Sequence, residues 1–237
     1  MNQAADWAII RQVVFGAESL EITSKELREN LGLTPGFADP ILEDIGLADE
    51  TIRVGGEAHL EVVAPLNESA SINGWITKGG GGGGYALSIQ VPDLAPRLAA
   101  AEKLGVRTVA AVEVYGHNIV QLHPGDLGLL VELDEIPEPT EWFWDEFVTE
   151  TPTAPVVDDV LGVEISSADP AAQAAQWAAL FGVEVEAGDN PRITLGTRTI
   201  TFVAGERRFL SAIDLKKVDG VDAPAELAIS GVTLRLL

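Results

Sequence analysis

The segment LSIQVPDLAPRLAAAEKLG, residues 87–105, decides the reading of this 237-residue chain. Leu87 to Val91 is a short apolar run, and Asp93 is a residue type whose side chain accepts from the free N–H groups at a helix start. Leu94 to Leu104 then reads as helix, and Gly105 stands where a helix ends in the left-handed conformation. The same order occurs twice more. Gln12-Val13-Val14-Phe15 leads through Ser19 and a Lys- and Glu-bearing stretch to Leu31-Gly32. Val163-Glu164-Ile165 leads to Asp169-Pro170, an Ala-rich stretch from Ala171 to Leu180, and Phe181-Gly182, with proline suited to the first helical turn. Such repeats are supersecondary units that stack to bury their apolar faces, so no single unit folds alone.

Between the helices the chain alternates like strand. In His59-Leu60-Glu61-Val62-Val63-Ala64-Pro65, His59, Glu61 and Val63 point one way while Leu60 and Val62 point the other. In Gly128-Leu129-Leu130-Val131-Glu132-Leu133 the same alternation puts Gly128, Leu130 and Glu132 on one face. Asn118 to Leu122 precedes it through His123-Pro124-Gly125-Asp126, whose Pro-Gly pair signals a turn, so the two runs form a hairpin. Pro137 to Val157 is rich in proline and acid and holds Glu141-Trp142-Phe143-Trp144, which fits a linker with an aromatic anchor. The expected organisation is a module over 7–136, a linker over 137–157 and a second module over 158–237. Glu61 and Glu132, at corresponding places on two final strands, are expected to face one cavity beside Gln12 and Tyr85.

Composition bounds the function. Without cysteine there is neither a disulfide framework nor a thiolate. Residues 1–30 lack a basic stretch followed by an apolar run, and no apolar stretch approaches the ~18 residues of a membrane span, so the expected location is the cytoplasm. Thirty-seven acidic residues against 15 basic ones give a formal net charge of −22, which repels phosphate backbones and anionic lipid; neither nucleic acid nor membrane is an expected partner. The run Gly79 to Gly84 lacks the Lys-Ser/Thr and following helix of a phosphate loop and reads instead as a mobile connection, a candidate lid.

With its order of apolar strand, helix, Leu-Gly and further strands, and with HLEVVAP and HPGDLGLLVEL, the chain resembles the vicinal oxygen chelate superfamily. That group takes in glyoxalase I, methylmalonyl-CoA epimerase, extradiol dioxygenases and bleomycin-resistance proteins. The resemblance covers residues 8–136 well and 158–237 less well. It implies an α+β fold in which paired βαβββ units form an incomplete barrel around a divalent metal, in tandem modules with the second degenerate. Carried over position by position, it puts ligand positions on Gln12, Glu61, Tyr85 and Glu132. Gln, Glu and Glu match the glyoxalase pattern, whereas Tyr85 replaces a histidine, and a phenol with a reference pKa of about 10 is a poor ligand unless ionised. His59, on the face of Glu61, is the candidate replacement imidazole. Oxygen donors with one imidazole suit Zn, Mn, Fe or Ni.

Three functions follow from the resemblance. The first is a metal-dependent lyase or isomerase acting on a small oxygenated substrate, with Glu61 and Glu132 as ligands and one of them as base. The second is a non-catalytic, drug-sequestering binder of the bleomycin-resistance kind. The third is an extradiol-type dioxygenase, which needs two histidines and a carboxylate around iron. Tyr85, Trp75 and Asn118 are the candidate substrate contacts, and a homodimer is the candidate assembly. In the second module Gly162 or Val163 falls at the first ligand position and Ser211 at the third, so that half is expected to be structural, with Trp177 in its core.

Overall fold

The computed structural model describes residues 6–147, 150–206 and 209–237; residues 1–5, part of the stretch read for a leader, 148–149, within the 137–157 stretch, and 207–208, within the 158–237 stretch, lie outside it. The chain opens with β1 (Ile9–Ala17) and α1 (Leu20–Leu31), where Ser19 Oγ accepts from the Ile22 N–H and Gly32 ends the helix. α2 (Pro40–Asp44), β2 (Leu47–Val54) and β3 (Ala58–Pro65) follow, β3 lying parallel to β1 and antiparallel to β2. Phe37 adds an isolated antiparallel bridge to Thr51.

α3 (Ile72–Gly79) leads to the second copy: β4 (Gly82–Val91), α4 (Leu94–Leu104), β5 (Thr108–Val114), β6 (His117–Leu122), the single turn α5 (Pro124–Leu127) and β7 (Leu130–Glu135). Here β7 runs parallel to β4, and β5, β6 and β7 form an antiparallel meander. The expected β6–β7 hairpin is present with a helical turn inside it, because His123 Nδ1 accepts from the Gly125 N–H and starts α5. The third copy is β8 (Val157–Ser167), α6 (Pro170–Phe181), β9 (Arg192–Leu195) and β10 (Arg198–Ala204), with β10 parallel to β8 and antiparallel to β9. The fourth, β11 (Phe209–Lys217), β12 (Glu226–Ile229) and β13 (Val232–Leu236), repeats the ladder without a helix. The fold is α+β, four copies of one strand pattern.

The chain divides into two compact units, each drawn from separated stretches. One holds Gln12–Tyr85, Trp144–Leu161 and Ser211–Leu237 and contains Glu61; the other holds Met1–Arg11, Ala86–Phe143 and Gly162–Leu210 and contains Glu132. Each therefore takes residues from both sides of the 137–157 stretch. In the Glu61 unit, one face of β1, β2 and β3 carries Val13, Phe15, Ile52, Val54, Leu60 and Val62, all buried, and α1 contributes buried Leu27 and Leu31. In the Glu132 unit the buried Trp177 of α6 packs against Phe181 and, edge on, against Phe202 of β10, the core role expected for it.

The glycine run is not a free connection. Gly80 ends α3 and Gly82 to Gly84 already belong to β4. Gly82 has φ 147°, and a Cβ there would meet Ser230 Oγ at 2.5 Å and the Gly16 carbonyl oxygen at 2.9 Å, so backbone packs where a side chain would stand.

Candidate functional site

Strand alternation decides which side chains share the remaining face of the Glu61 unit. Parallel pairing of Gln12 with His59 and Val14 with Glu61, and antiparallel pairing of Thr51 with Glu61 and Asp49 with Val63, put Gln12, His59, Glu61, Asp49 and Thr51 on one face. These polar groups are nonetheless covered: Gln12 is 4% exposed, His59 1% and Glu61 9%. Buried polar groups need partners, and the pattern of partners here is informative.

Gln12 Nε2 donates to Glu61 Oε2 at 2.5 Å, and Trp144 Nε1 donates to Gln12 Oε1 at 2.7 Å. An indole N–H is a donor only, so it fixes the amide: Gln12 gives its oxygen to Trp144 and its NH2 group to Glu61. The chain Trp144, Gln12, Glu61 thus runs in one direction, and it holds Oε2 of Glu61 against the Gln12 amide. Aromatic rings surround Trp144, with Phe37 centred 5.1 Å from it and Phe147 stacked on Phe37 at 4.7 Å. Arg53 Nη2 donates to Asp145 Oδ1 at 3.0 Å, holding the backbone next to Trp144. In the same unit Trp75 lies against the backbone of Gly16 and meets Tyr85 edge on, with centroids 5.0 Å apart.

Asp49 sits on this face as well. Both its oxygens accept from the Asp39 N–H, at 2.9 and 3.2 Å. Burial pushes its carboxyl up to about 7, the Asp39 N–H opposing the shift and the negative charges of Asp39 and Glu50 adding to it.

Glu132 belongs to the other unit, on a polar face of its own. It accepts from Ser88 Oγ at 3.1 Å and from Gln121 Nε2 at 2.8 Å. Gln90, fully buried, accepts from Arg11 Nε at 2.6 Å and donates to the carbonyls of Ile136 and Glu138, while the Arg11 guanidinium lies 5.8 Å from the Trp142 ring centre. Asn118 donates to Glu135 at 2.7 Å in an exposed position on β6. The structure therefore brings Gln12, His59 and Glu61 onto one face, holds Trp75 and Tyr85 in the same unit, and places Glu132 and Asn118 in the second.

Ladder register also relates the copies. Val14 pairs with Glu61 and Ser88 with Glu132, so the residue standing where Gln12 stands is Ala86. Tyr85, expected at that place, precedes it by one residue, and a one-residue step turns a side chain to the opposite face. Among the described residues no group of three or more His, Asp and Glu side chains stands where it could hold a metal ion. As arranged, Gln12 aims N–H groups at Glu61, so this pair does not fit a cation. Trp144, Asp49, Ser88 and Gln121 were not among the expected site residues. Alternation along Leu47 to Val54 was the available signal for Asp49; for Trp144 the only sign was a tryptophan-rich stretch that read as a structural anchor.

No family model matches the chain. It is 26% identical over 130 residues to the mitochondrial methylmalonyl-CoA epimerase of Mus musculus, the match covering 53% of this chain and 72% of that protein. Among solved structures it is similar to a hypothetical protein from Staphylococcus aureus over 97% of this chain and 99% of the other, with a TM-score of 0.69 and 11% identity. Methylmalonyl-CoA epimerase from Mycobacterium tuberculosis is 28% identical over 53% of this chain and 85% of its own, with a TM-score of 0.46. The likeness to the mouse epimerase supports the resemblance to the vicinal oxygen chelate superfamily, and the Staphylococcus structure shows the same fold over nearly the whole chain. No helix among the described residues is long and apolar enough to cross a membrane.

Proposed function

We propose that the chain is an isomerase or lyase of the glyoxalase-like kind, moving a proton on a small oxygenated substrate, with Glu61 as the base. The observation that carries this reading is the buried Gln12–Glu61 pair, a carboxylate held in one orientation on the covered polar face of a superfamily-type sheet. Similarity to an epimerase supports the reaction type: an epimerase removes and returns a proton at carbon, and a carboxylate can take a proton beside a carbonyl when the negative charge left on the carbonyl oxygen is stabilised by a donor. Gln12 orients the base, and exclusion of water by the Trp144 cluster strengthens every charge interaction within the face. His59, on the same face, is the proposed partner of the carbonyl oxygen. Trp75 and Tyr85 are the proposed substrate contacts of this unit. Glu132, held by Ser88 and Gln121, is the proposed base of the other unit, and Asn118 a substrate contact there. The 7–136 and 158–237 modules of the tandem arrangement belong to this proposal as well.

The acyl-CoA substrate named for the relatives carries phosphates, which a net charge of −22 repels. The proposed substrates are accordingly 2-oxo compounds and short thioesters without phosphate groups, with branched malonyl compounds and the acyl-CoA itself as the more strongly repelled members of the test panel. Exchange of the carbon-bound proton in deuterated buffer, followed by mass spectrometry over that panel, tests the reading. Wild-type protein should exchange at least one of them, Glu61→Gln should lose about 100-fold or more, the scale of general base catalysis, and the surface variant Glu29→Gln should match wild type. Exchange that persists in Glu61→Gln would assign the chemistry elsewhere.

A further inference from the structure

We infer that Trp144 is a positioning residue that decides whether the Glu61 face can take a divalent cation. The inference rests on reading Gln12 and Glu61 as the site, and it starts from the direction of their hydrogen bonds. A glutamine can bind a cation only through its amide oxygen, because the NH2 group has no lone pair to give. In this chain that oxygen accepts from the Trp144 indole at 2.7 Å while the nitrogen faces Glu61 at 2.5 Å. The amide cannot turn round while the indole is in place: turning would set N–H against N–H at Trp144 and oxygen against oxygen at Glu61, leaving two buried donors and two buried acceptors unmatched.

Withdrawal of the indole removes the first constraint. Gln12 can then present its oxygen beside Glu61, with His59, its register partner on β1–β3, on the same face. Two oxygens and an imidazole form a donor set suited to Mn, Fe, Ni or Zn, and three protein donors leave positions open for substrate oxygens. Trp144 is built to stay in: it is 7% exposed, packed by Phe37, and its neighbour Asp145 is tied to Arg53. The side chain therefore holds the face in its metal-free arrangement, and a cation competes with the indole for one amide oxygen.

The test is Mn2+ titration of full-length, chelator-treated protein, read by loss of the free-ion paramagnetic resonance signal. An acidic chain takes up Mn2+ loosely all over its surface, so the readout is the share of binding that Glu61→Gln removes. Trp144→Phe keeps the ring packing and deletes the N–H; it should gain Glu61-dependent Mn2+ binding about tenfold or more tighter than wild type, the scale on which residues behind the ligands tune metal affinity. Gln12→Glu supplies an independent arm, since a carboxylate can give one oxygen to Trp144 and the other to the cation; it should gain Glu61-dependent binding with the indole in place, and it carries the test if Trp144→Phe does not fold. Equal Glu61-dependent affinity in wild type and variants, or none in any folded variant, overturns the inference. Because the readout is binding, it stands apart from the proton-exchange assay: gained binding without exchange would reject the reaction and keep the switch.

Discussion

Asp49 shows how a single residue ties burial to pH. Its carboxyl titrates near 7 in the fold and at 3.8 ordinarily, chiefly because burial disfavours the charged form. The folded state therefore binds that proton more tightly than the unfolded state. Stability from this group is whole below about pH 4 and is lost as pH rises through about 7, and at ~1.4 kcal/mol per tenfold the full span is on the order of 4 kcal/mol. Asp49→Asn keeps an acceptor for the Asp39 N–H and removes the charge. Urea unfolding at pH 4, 5, 6, 7 and 8 should find the variant closest to wild type at pH 4 and exceeding it by a margin that grows up to about pH 7. An unchanged pH slope in the variant would show that other groups set it. Gln12 belongs to the same scale: its chemistry is set less by its identity than by which of its two amide atoms a neighbouring indole claims.

At the scale of elements, the sequence signals worked where they were local. Ser19, Asp93 and Asp169 accept from the N–H groups of Ile22, Ala95 and Ala172 at the starts of α1, α4 and α6, and Gly32, Gly105 and Gly182 end those helices with φ of 67°, 69° and 68°. Each depends on contacts within a few residues, so each is legible from spacing. Tyr85 shows the limit. Alternation fixes which residues share a face but not which position in one strand matches which in another, and that register depends on ladders between distant segments. The glycine run departs from a loop for a related reason, since flexibility is a property of isolated polyglycine, whereas Gly82 to Gly84 continue β4 and Gly82 is packed against Ser230 and Gly16. Two substitutions separate the cases. Gly74 lies inside α3 with nothing within 4 Å of an added Cβ, so Gly74→Ala should raise stability by roughly 0.5–1 kcal/mol. Gly82→Ala should lower it by about 1–3 kcal/mol through contact and backbone strain. Thermal melts of the pair that shifted together would refute this account.

For the whole molecule, assembly and charge matter most, and only charge was legible. Each unit is built from stretches far apart in sequence, and β1, β4, β8 and β11 each contribute residues to both. No local pattern announces that division, because it is made by strand pairing after the copies exist. Charge, by contrast, needs only counting: 37 acidic residues against 15 basic ones leave a net −22. Like charges at this density repel one another in the compact state, and expansion on unfolding relieves them. The opposing attractions are weak where they are exposed, as in Lys25–Glu29, whose side chains are 62% and 68% exposed, and Arg192–Glu186, at 54% each. Salt shortens the reach of both, from a Debye length of about 30 Å at 0.01 M to roughly 3 Å at 1 M, but the long-range repulsion among many carboxylates is lost first. Raising KCl from about 0.01 to 0.5 M at pH 7.5, a span chosen from that screening length, should therefore stabilise the chain. A gain of ~1–2 kcal/mol would raise the melting midpoint by about 2–8 °C for a chain of this size. A midpoint that falls over the same range would mean that the ion pairs outweigh the net charge.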